Sequence, residues 1–279
     1  MKNLKVGIQL YSLRDALKKD FEGTLKNVAD IGYEYVEFAG FYERSADEIK
    51  EILNKYGLKA ISVHQSIDGF NTAEKMQAFI KYIKTLDIRF VVIPWMNKSV
   101  FYDQDSYAQF CQTLENAGKI FSENNIALCY HNHDFEFEKL DGQYILDRLY
   151  NDVSEEHLQP QLDLCWVNYG GESPVKYIEK YATRNRTIHF KDFYATASKE
   201  QVYDLIDEKG NVQSRDDKQI TNFKFMPLGK GIQNWETIMS AVKSSNVEYI
   251  IYEKDQWYDG DPLEDAKQSR IYLKNTFGI

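Results

Sequence analysis

The stretch Ala127-Leu-Cys-Tyr-His-Asn-His133 decides the fold. Ala127–Tyr130 is a short apolar run without polar alternation, the pattern of a strand covered on both faces. An amphipathic helical stretch, Gln104–Asn124, precedes it and another, Tyr144–Tyr150, follows. A strand between two helices pairs in parallel through right-handed crossovers. The same unit recurs in both directions along the chain. Further apolar runs lie at Val6–Leu10, Tyr35–Phe38, Ala60–Val63, Phe90–Ile93, Gln161–Leu164, Thr187–Phe190 and Tyr249–Tyr252. Helical stretches at Phe21–Ile31, Ala46–Tyr56, Thr72–Leu86, Pro174–Tyr181, Trp235–Ser244 and Pro262–Asn275 separate or follow them. Gly32 and Gly57 stand where helices end, and Asn234 is an N-cap for the helix before the last strand. Eight such units in 279 residues predict an α/β fold, a closed (β/α)8 or TIM barrel, as a single domain over residues 1–279. An open doubly wound sheet would carry a Gly-rich phosphate turn after its first strand, and Gln9-Leu-Tyr-Ser-Leu-Arg14 is not one.

One interval breaks the rhythm. The excess chain lies between Asp192 and Asn234, after the seventh strand. It includes Val202-Tyr-Asp-Leu-Ile, a turn-like Glu208-Lys-Gly-Asn and Asn222-Phe-Lys-Phe-Met. This predicts a hairpin or lid inserted over the top of the barrel.

Composition narrows the partners. The net charge of −9 and pI near 5.2 disfavour a binder of nucleic-acid phosphates. No leader or membrane span is visible in the sequence, so no membrane partner and a cytoplasmic location are the simplest expectations. The three cysteines, Cys111, Cys129 and Cys165, follow no zinc or disulfide spacing and read as small buried hydrophobes.

The rare polar residues fall in one register. Of only five histidines, His64, His131, His133 and His189 lie at or just after the C-terminal end of a strand. Gln9, Glu37, Asp163 and Glu253 mark other strand ends. In a barrel these ends converge on one mouth, where active sites are built. Strands five to eight each offer one ligand: His131, Asp163, His189 and Glu253. Two imidazoles and two carboxylates on adjacent strands suit one divalent cation with room left for substrate oxygens.

At these residues the chain resembles the sugar phosphate isomerase/epimerase family of xylose-isomerase-like barrels, over essentially its whole length. The carriers are Gly7-Ile-Gln-Leu-Tyr-Ser-Leu-Arg14, Gly32-Tyr-Glu-Tyr-Val-Glu-Phe38, Tyr130-His-Asn-His-Asp-Phe-Glu-Phe137, Gln161-Leu-Asp-Leu-Cys-Trp166, Ile188-His-Phe-Lys-Asp192, Pro227-Leu-Gly-Lys-Gly-Ile232 and Tyr252-Glu-Lys-Asp255. The resemblance implies Mn²⁺, Mg²⁺, Co²⁺ or Zn²⁺ on Asp163, His189, Glu253 and a strand-five residue. It also implies a small sugar or polyol substrate and, commonly, a homo-oligomer. Two positions depart from the pattern. His131-Asn132 replaces the Glu-Asn of family epimerases, and Asp163-Leu-Cys-Trp166 replaces Asp-x-x-His. The strand-five departure looks more like inosose dehydratases and keto-glycoside lyases.

The departure bears on mechanism. Family epimerases use two carboxylates on opposite faces of the substrate, and here only Glu253 remains as a carboxylate base on the metal. The first expectation is a metal-dependent isomerase or epimerase that abstracts a proton next to a carbonyl of a ketose, keto-sugar or related polyol. The second is a dehydratase or lyase performing β-elimination on an inosose or 3-keto-glycoside. His131 counts both as a ligand and, with Glu253, as catalytic; His64, His133 and Lys191 are candidate acids. Gln9, Glu37, Trp95, His133 and Trp166 are expected to touch substrate. An abasic-site endonuclease on the same barrel would need a richer metal cluster and a basic face. A non-catalytic sugar binder would lack the metal.

Overall fold

The structure is a computed structural model and describes residues 3–195, 223–258 and 260–279. Eight parallel strands close on themselves: β1 (Lys5–Gln9), β2 (Tyr35–Ala39), β3 (Lys59–His64), β4 (Phe90–Ile93), β5 (Ala127–His131), β6 (Gln159–Asp163), β7 (Thr187–Phe190) and β8 (Tyr249–Tyr252). Each pairs with its sequence neighbours, and β1 pairs with β8 from Lys5↔Tyr249 to Ile8↔Tyr252. The TIM barrel expected from the sequence is thus the fold.

The helices sit where hydrophobic periodicity put them, because local signals start and stop them. Helix Ala46–Tyr56 opens on a capping box between Ser45 and Glu48 and ends on Gly57, whose φ of 71° a side chain would resist. Helix Phe21–Ile31 starts on Asp20, which accepts from Gly23 N, and stops on Gly32 at φ 102°. Asn234 caps Trp235–Ser244 by accepting from Thr237 N. Three short helices lack a sequence signal: Arg14–Lys19, Ser99–Tyr102, and Leu164–Tyr169 directly after β6. Four to six residues are too few for an amphipathic period to declare itself.

Inside the barrel, side chains stack in layers. Tyr35, Ile61, Phe90, Val92, Cys129, Tyr249 and Ile251 form an apolar floor, separate from the larger core under the helices. At Gly7 a Cβ would fall 2.8 Å from Ile251 Cδ1, so the floor has no room for a side chain there. Strand side chains on one face recur every second residue. Two residues beyond Tyr35, Cys129 and Ile251 stand Glu37, His131 and Glu253; two beyond Gly7 and Thr187 stand Gln9 and His189. The polar layer therefore lies directly on the floor, toward the C-terminal ends of the strands.

After β7 an antiparallel ribbon pairs Asp192–Ala195 with Phe223–Met226, in register Asp192↔Met226 to Ala195↔Phe223. Those segments of the expected insertion are strands; Val202–Ile206 and the Glu208 turn lie outside the described residues. The three cysteines are unpaired, Cys129 and Cys165 buried and Cys111 half-buried. Among the described residues no helix is long and apolar enough to cross a membrane.

Candidate active site

The structure brings His131, Asp163, His189 and Glu253 together. Each offers one nitrogen or oxygen, and these atoms lie within 4.8 Å of one another. All four residues are 5 % exposed or less. His131 Nε2 is 3.7 Å from Asp163 Oδ2, and His189 Nδ1 is 2.9 Å from Glu253 Oε2. The strands aim these groups and neighbouring backbone locks them. Asp163 Oδ1 accepts from Cys165 N and Trp166 N, so the short helix after β6 fixes that carboxylate. Asn132 ties the ends of β5 and β6 together: its Oδ1 accepts from Asp163 N at 3.0 Å and its Nδ2 donates to Asp163 O at 3.3 Å.

Lys191, just past β7, brings a buried cation to the same point. Its Nζ lies 2.7 Å from Glu253 Oε2, 2.9 Å from Asp163 Oδ2 and 3.0 Å from Asp255 Oδ2. Burial disfavours the ammonium, but the three carboxylates outweigh it and hold Lys191 protonated, well above the ordinary lysine value. Burial also opposes ionisation of Glu253; Lys191 and His189 overcome it and hold Glu253 well below the carboxylate range. At Asp163 burial prevails over Lys191 and the value rises. Burial works against charge on His189, yet Glu37 and Glu253 on either side raise it to about 10. His131 is held neutral by burial and by its imidazole neighbours, and burial brings His133 down to about 3.

Beside these groups lies a second polar set. Glu37 is fully buried, and both its oxygens face donors. Oε1 accepts from Gln9 Nε2 at 2.8 Å and lies 2.6 Å from His189 Nε2 and 3.0 Å from His64 Nε2. Oε2 accepts from Ser62 Oγ at 2.5 Å and from Gln161 Nε2 at 2.6 Å. Gln161 Oε1 in turn faces His64 Nε2 at 2.8 Å and His131 Nδ1 at 3.3 Å. Gln9 and Glu37, expected to touch substrate, are fully buried and paired with protein groups.

The aromatics also divide. Trp166 is buried beneath the ribbon: it stacks on Phe223 at 5.6 Å and 5° and meets Phe225 at 90°. Lys191 Nζ lies 5.4 Å from its ring. His133 packs 5.8 Å from the same ring. Trp95 is half-buried against the outer core. Asp192, the last residue of the His-x-Lys-Asp motif, is an organiser. Its carboxylate accepts from Gly229 N, Gly231 N, Gln233 N and Trp235 Nε1. A Cβ on Gly231 would fall 2.1 Å from Asp192 Oδ1, which explains the Gly-x-Gly that follows the ribbon.

Sequence reasoning passed over Asp255, Ser62 and Gln161 as site residues. The alternation would have found them: Asp255 stands two beyond Glu253, Ser62 two before His64 and Gln161 two before Asp163.

The donor set fits one divalent cation. Two imidazoles and two carboxylates converge at ligand-like separations, and Asp163 Oδ2 accepts no hydrogen bond of good geometry. A family model for the xylose isomerase-like TIM barrel matches residues 25–276, and the chain belongs to that family. Relatives by sequence include an inosose dehydratase of Lacticaseibacillus casei, 24% identical over 281 residues spanning 93% of this chain and 90% of that protein. Another, from Clostridium beijerinckii, is 20% identical with the same coverage. A sugar phosphate isomerase/epimerase from Parabacteroides distasonis has a similar structure, with a TM-score of 0.76 at 21% identity over 98% of this chain and 99% of that one. A probable 3-DHS dehydratase of petrobactin synthesis from Bacillus anthracis reaches 0.74 at 15% identity, over 98% and 100%. At such identities the structural likeness speaks to the fold.

Proposed function

We propose that this chain is a divalent-metal-dependent enzyme that removes a proton next to the carbonyl of a keto-sugar or keto-polyol, and that the proton abstraction leads to β-elimination of water. The observation that carries this reading is Lys191 Nζ at 2.7 Å from Glu253 Oε2, an acid in contact with the base. His131, Asp163, His189 and Glu253 would hold the cation, whose contribution is Lewis acidity toward the substrate's carbonyl oxygen.

The protein groups account for the proton balance. Glu253 takes the proton from the carbon next to the carbonyl, and the C–H electron pair becomes part of an enolate. That pair then forms the new C=C bond as the C–O bond one carbon further breaks. Lys191 gives its proton to the departing hydroxide, so water leaves and an enone remains. Glu253, now protonated, passes its proton across 2.7 Å to Lys191, and the site returns to its starting state. The inosose dehydratases that align along nearly the whole chain support elimination. Isomerisation is the second reading; Asp255, one of three carboxylates at Lys191, is its best support, because a second base beside Glu253 could return the proton.

The test is to incubate Mn²⁺-, Co²⁺- or Zn²⁺-loaded protein with keto-sugars and inosose in D2O and follow it by NMR. Elimination gives an enone and lost water. Deuterium at the exchanging carbon with every hydroxyl retained favours isomerisation, and no turnover across the panel sinks both readings. His131→Glu supplies a second arm. An added negative charge beside the cation should lower elimination by on the order of a hundredfold, comparable to losing an oxyanion-stabilising contact. The same change should maintain or raise epimerisation.

A further inference from the structure

We propose that Glu37 is a positioning residue that sets the tautomers of both candidate imidazole ligands, His189 directly and His131 through Gln161. The inference rests on the metal reading above and goes beyond it, from which side chains meet to which nitrogen of each ring is presented.

Glu37 is an acceptor with no proton to give, held in the barrel interior by donors from four other elements: Gln9 on β1, Ser62 and His64 on β3, Gln161 on β6 and His189 on β7. A carboxylate buried in this way can only accept. The hydrogen on His189 therefore sits on Nε2, 2.6 Å from Glu37, and the lone pair of a neutral His189 is on Nδ1. Nδ1 is the nitrogen that faces Glu253.

The same carboxylate orients Gln161. Glu37 Oε2 accepts from Gln161 Nε2 at 2.6 Å, so the amide must turn its oxygen to the other side. That oxygen lies 3.3 Å from His131 Nδ1 and acts as an acceptor there. His131 then carries its hydrogen on Nδ1 and presents the Nε2 lone pair, the nitrogen that faces Asp163. One carboxylate thus fixes two rings. Outer partners that fix a ligand's tautomer raise metal affinity by about 10–100-fold. Glutamine at position 37 cannot substitute, because its amide N–H2 would face a donor whichever way it is turned.

The experiment uses the intact chain loaded with Zn²⁺, a diamagnetic probe. Long-range ¹H–¹⁵N NMR should show His189 protonated on Nε2 and His131 on Nδ1. Chelator competition should show Zn²⁺ affinity falling 10–100-fold in Glu37→Gln, with mixed tautomers at both rings. The mirror-image tautomers in wild type, or unchanged affinity and tautomers in Glu37→Gln, overturn the proposal while the metal reading stands. A wild-type chain that takes up no Zn²⁺, Mn²⁺ or Co²⁺ overturns the metal reading first and the proposal with it. The wild-type spectrum decides the tautomers even if the variant fails to fold.

Discussion

At the scale of single residues, Glu253 carries the heaviest demand. It is the proposed base and a proposed ligand, and it is also one of three carboxylates around Lys191. Glu253→Gln removes the basicity in a near-isosteric side chain, while Asp163 and Asp255 still pair the lysine. We expect turnover to fall by at least about a hundredfold, roughly 2.7 kcal/mol of barrier, with the chain still melting cooperatively from a folded state. Steady-state rates and a thermal melt check this; activity within about tenfold of wild type would assign the base elsewhere. The four converging residues were legible in the sequence because each stands near the end of one of four consecutive strands. Depth was harder to read. Glu37 and Gln9 look like rim residues if only the strand end is counted. Counting two residues on from the apolar floor puts them in the same buried layer as His131, His189 and Glu253. Asp255 lies just past β8, two residues beyond Glu253, where the alternation reaches but no apolar run marks the position.

At the scale of an element, the turn after β5 makes a testable pH argument. Glu136 is fully buried and accepts from Tyr130 OH and His133 N. Burial, only partly offset by these donors, raises it to about 8. Asp134 beside it is likewise pushed up by burial to about 8. The folded chain therefore keeps protons that the unfolded chain has released above the ordinary carboxylate range. Stability from these groups is full at low pH and is lost as pH rises through about 8. In the metal-free chain His189, raised to about 10, adds a slope of the same sign above pH 6.5. We expect the melting temperature to fall by several degrees from pH 6.5 to 9, and Glu136→Gln to remove a good part of that fall. A wild-type midpoint that is flat or rising over this range would contradict the argument. The regular helices and strands were legible to within a residue or two because caps and apolar periods agree. The ribbon's outer strand, Phe223–Met226, showed as a Phe-Lys-Phe alternation. Its partner, Asp192–Ala195, was obscured by running on directly from β7.

At the scale of the whole molecule, one cation drawn from four strands ties the second half of the barrel together. An ion that binds the folded chain alone stabilises it by mass action, about 4 kcal/mol at a free concentration of a thousand times Kd. For a chain of this size that is on the order of ten degrees in Tm. Dialysis against a chelator should lower the midpoint by that amount, and adding back Mn²⁺, Co²⁺ or Zn²⁺ should restore it. A midpoint indifferent to both treatments would remove the metal from the mechanism. The barrel itself was legible from eight apolar runs spaced by helices, with no Gly-rich phosphate turn after the first strand to suggest an open doubly wound sheet.

The seam between β1 and β8 has a consequence for how the chain is made. Lys5 bonds across the start of the seam twice, from its N–H to Glu248 O and from Nζ to Tyr249 OH. Until β8 emerges from the ribosome, β1 has an open edge, and so does whichever strand was last released. At bacterial and eukaryotic elongation rates that interval is on the order of ten to fifty seconds. Unpaired edges are templates for pairing with other chains. The nascent protein is thus most vulnerable to aggregation during its own synthesis, and Glu253, at the end of the strand that closes the ring, is the last of the four converging groups to arrive.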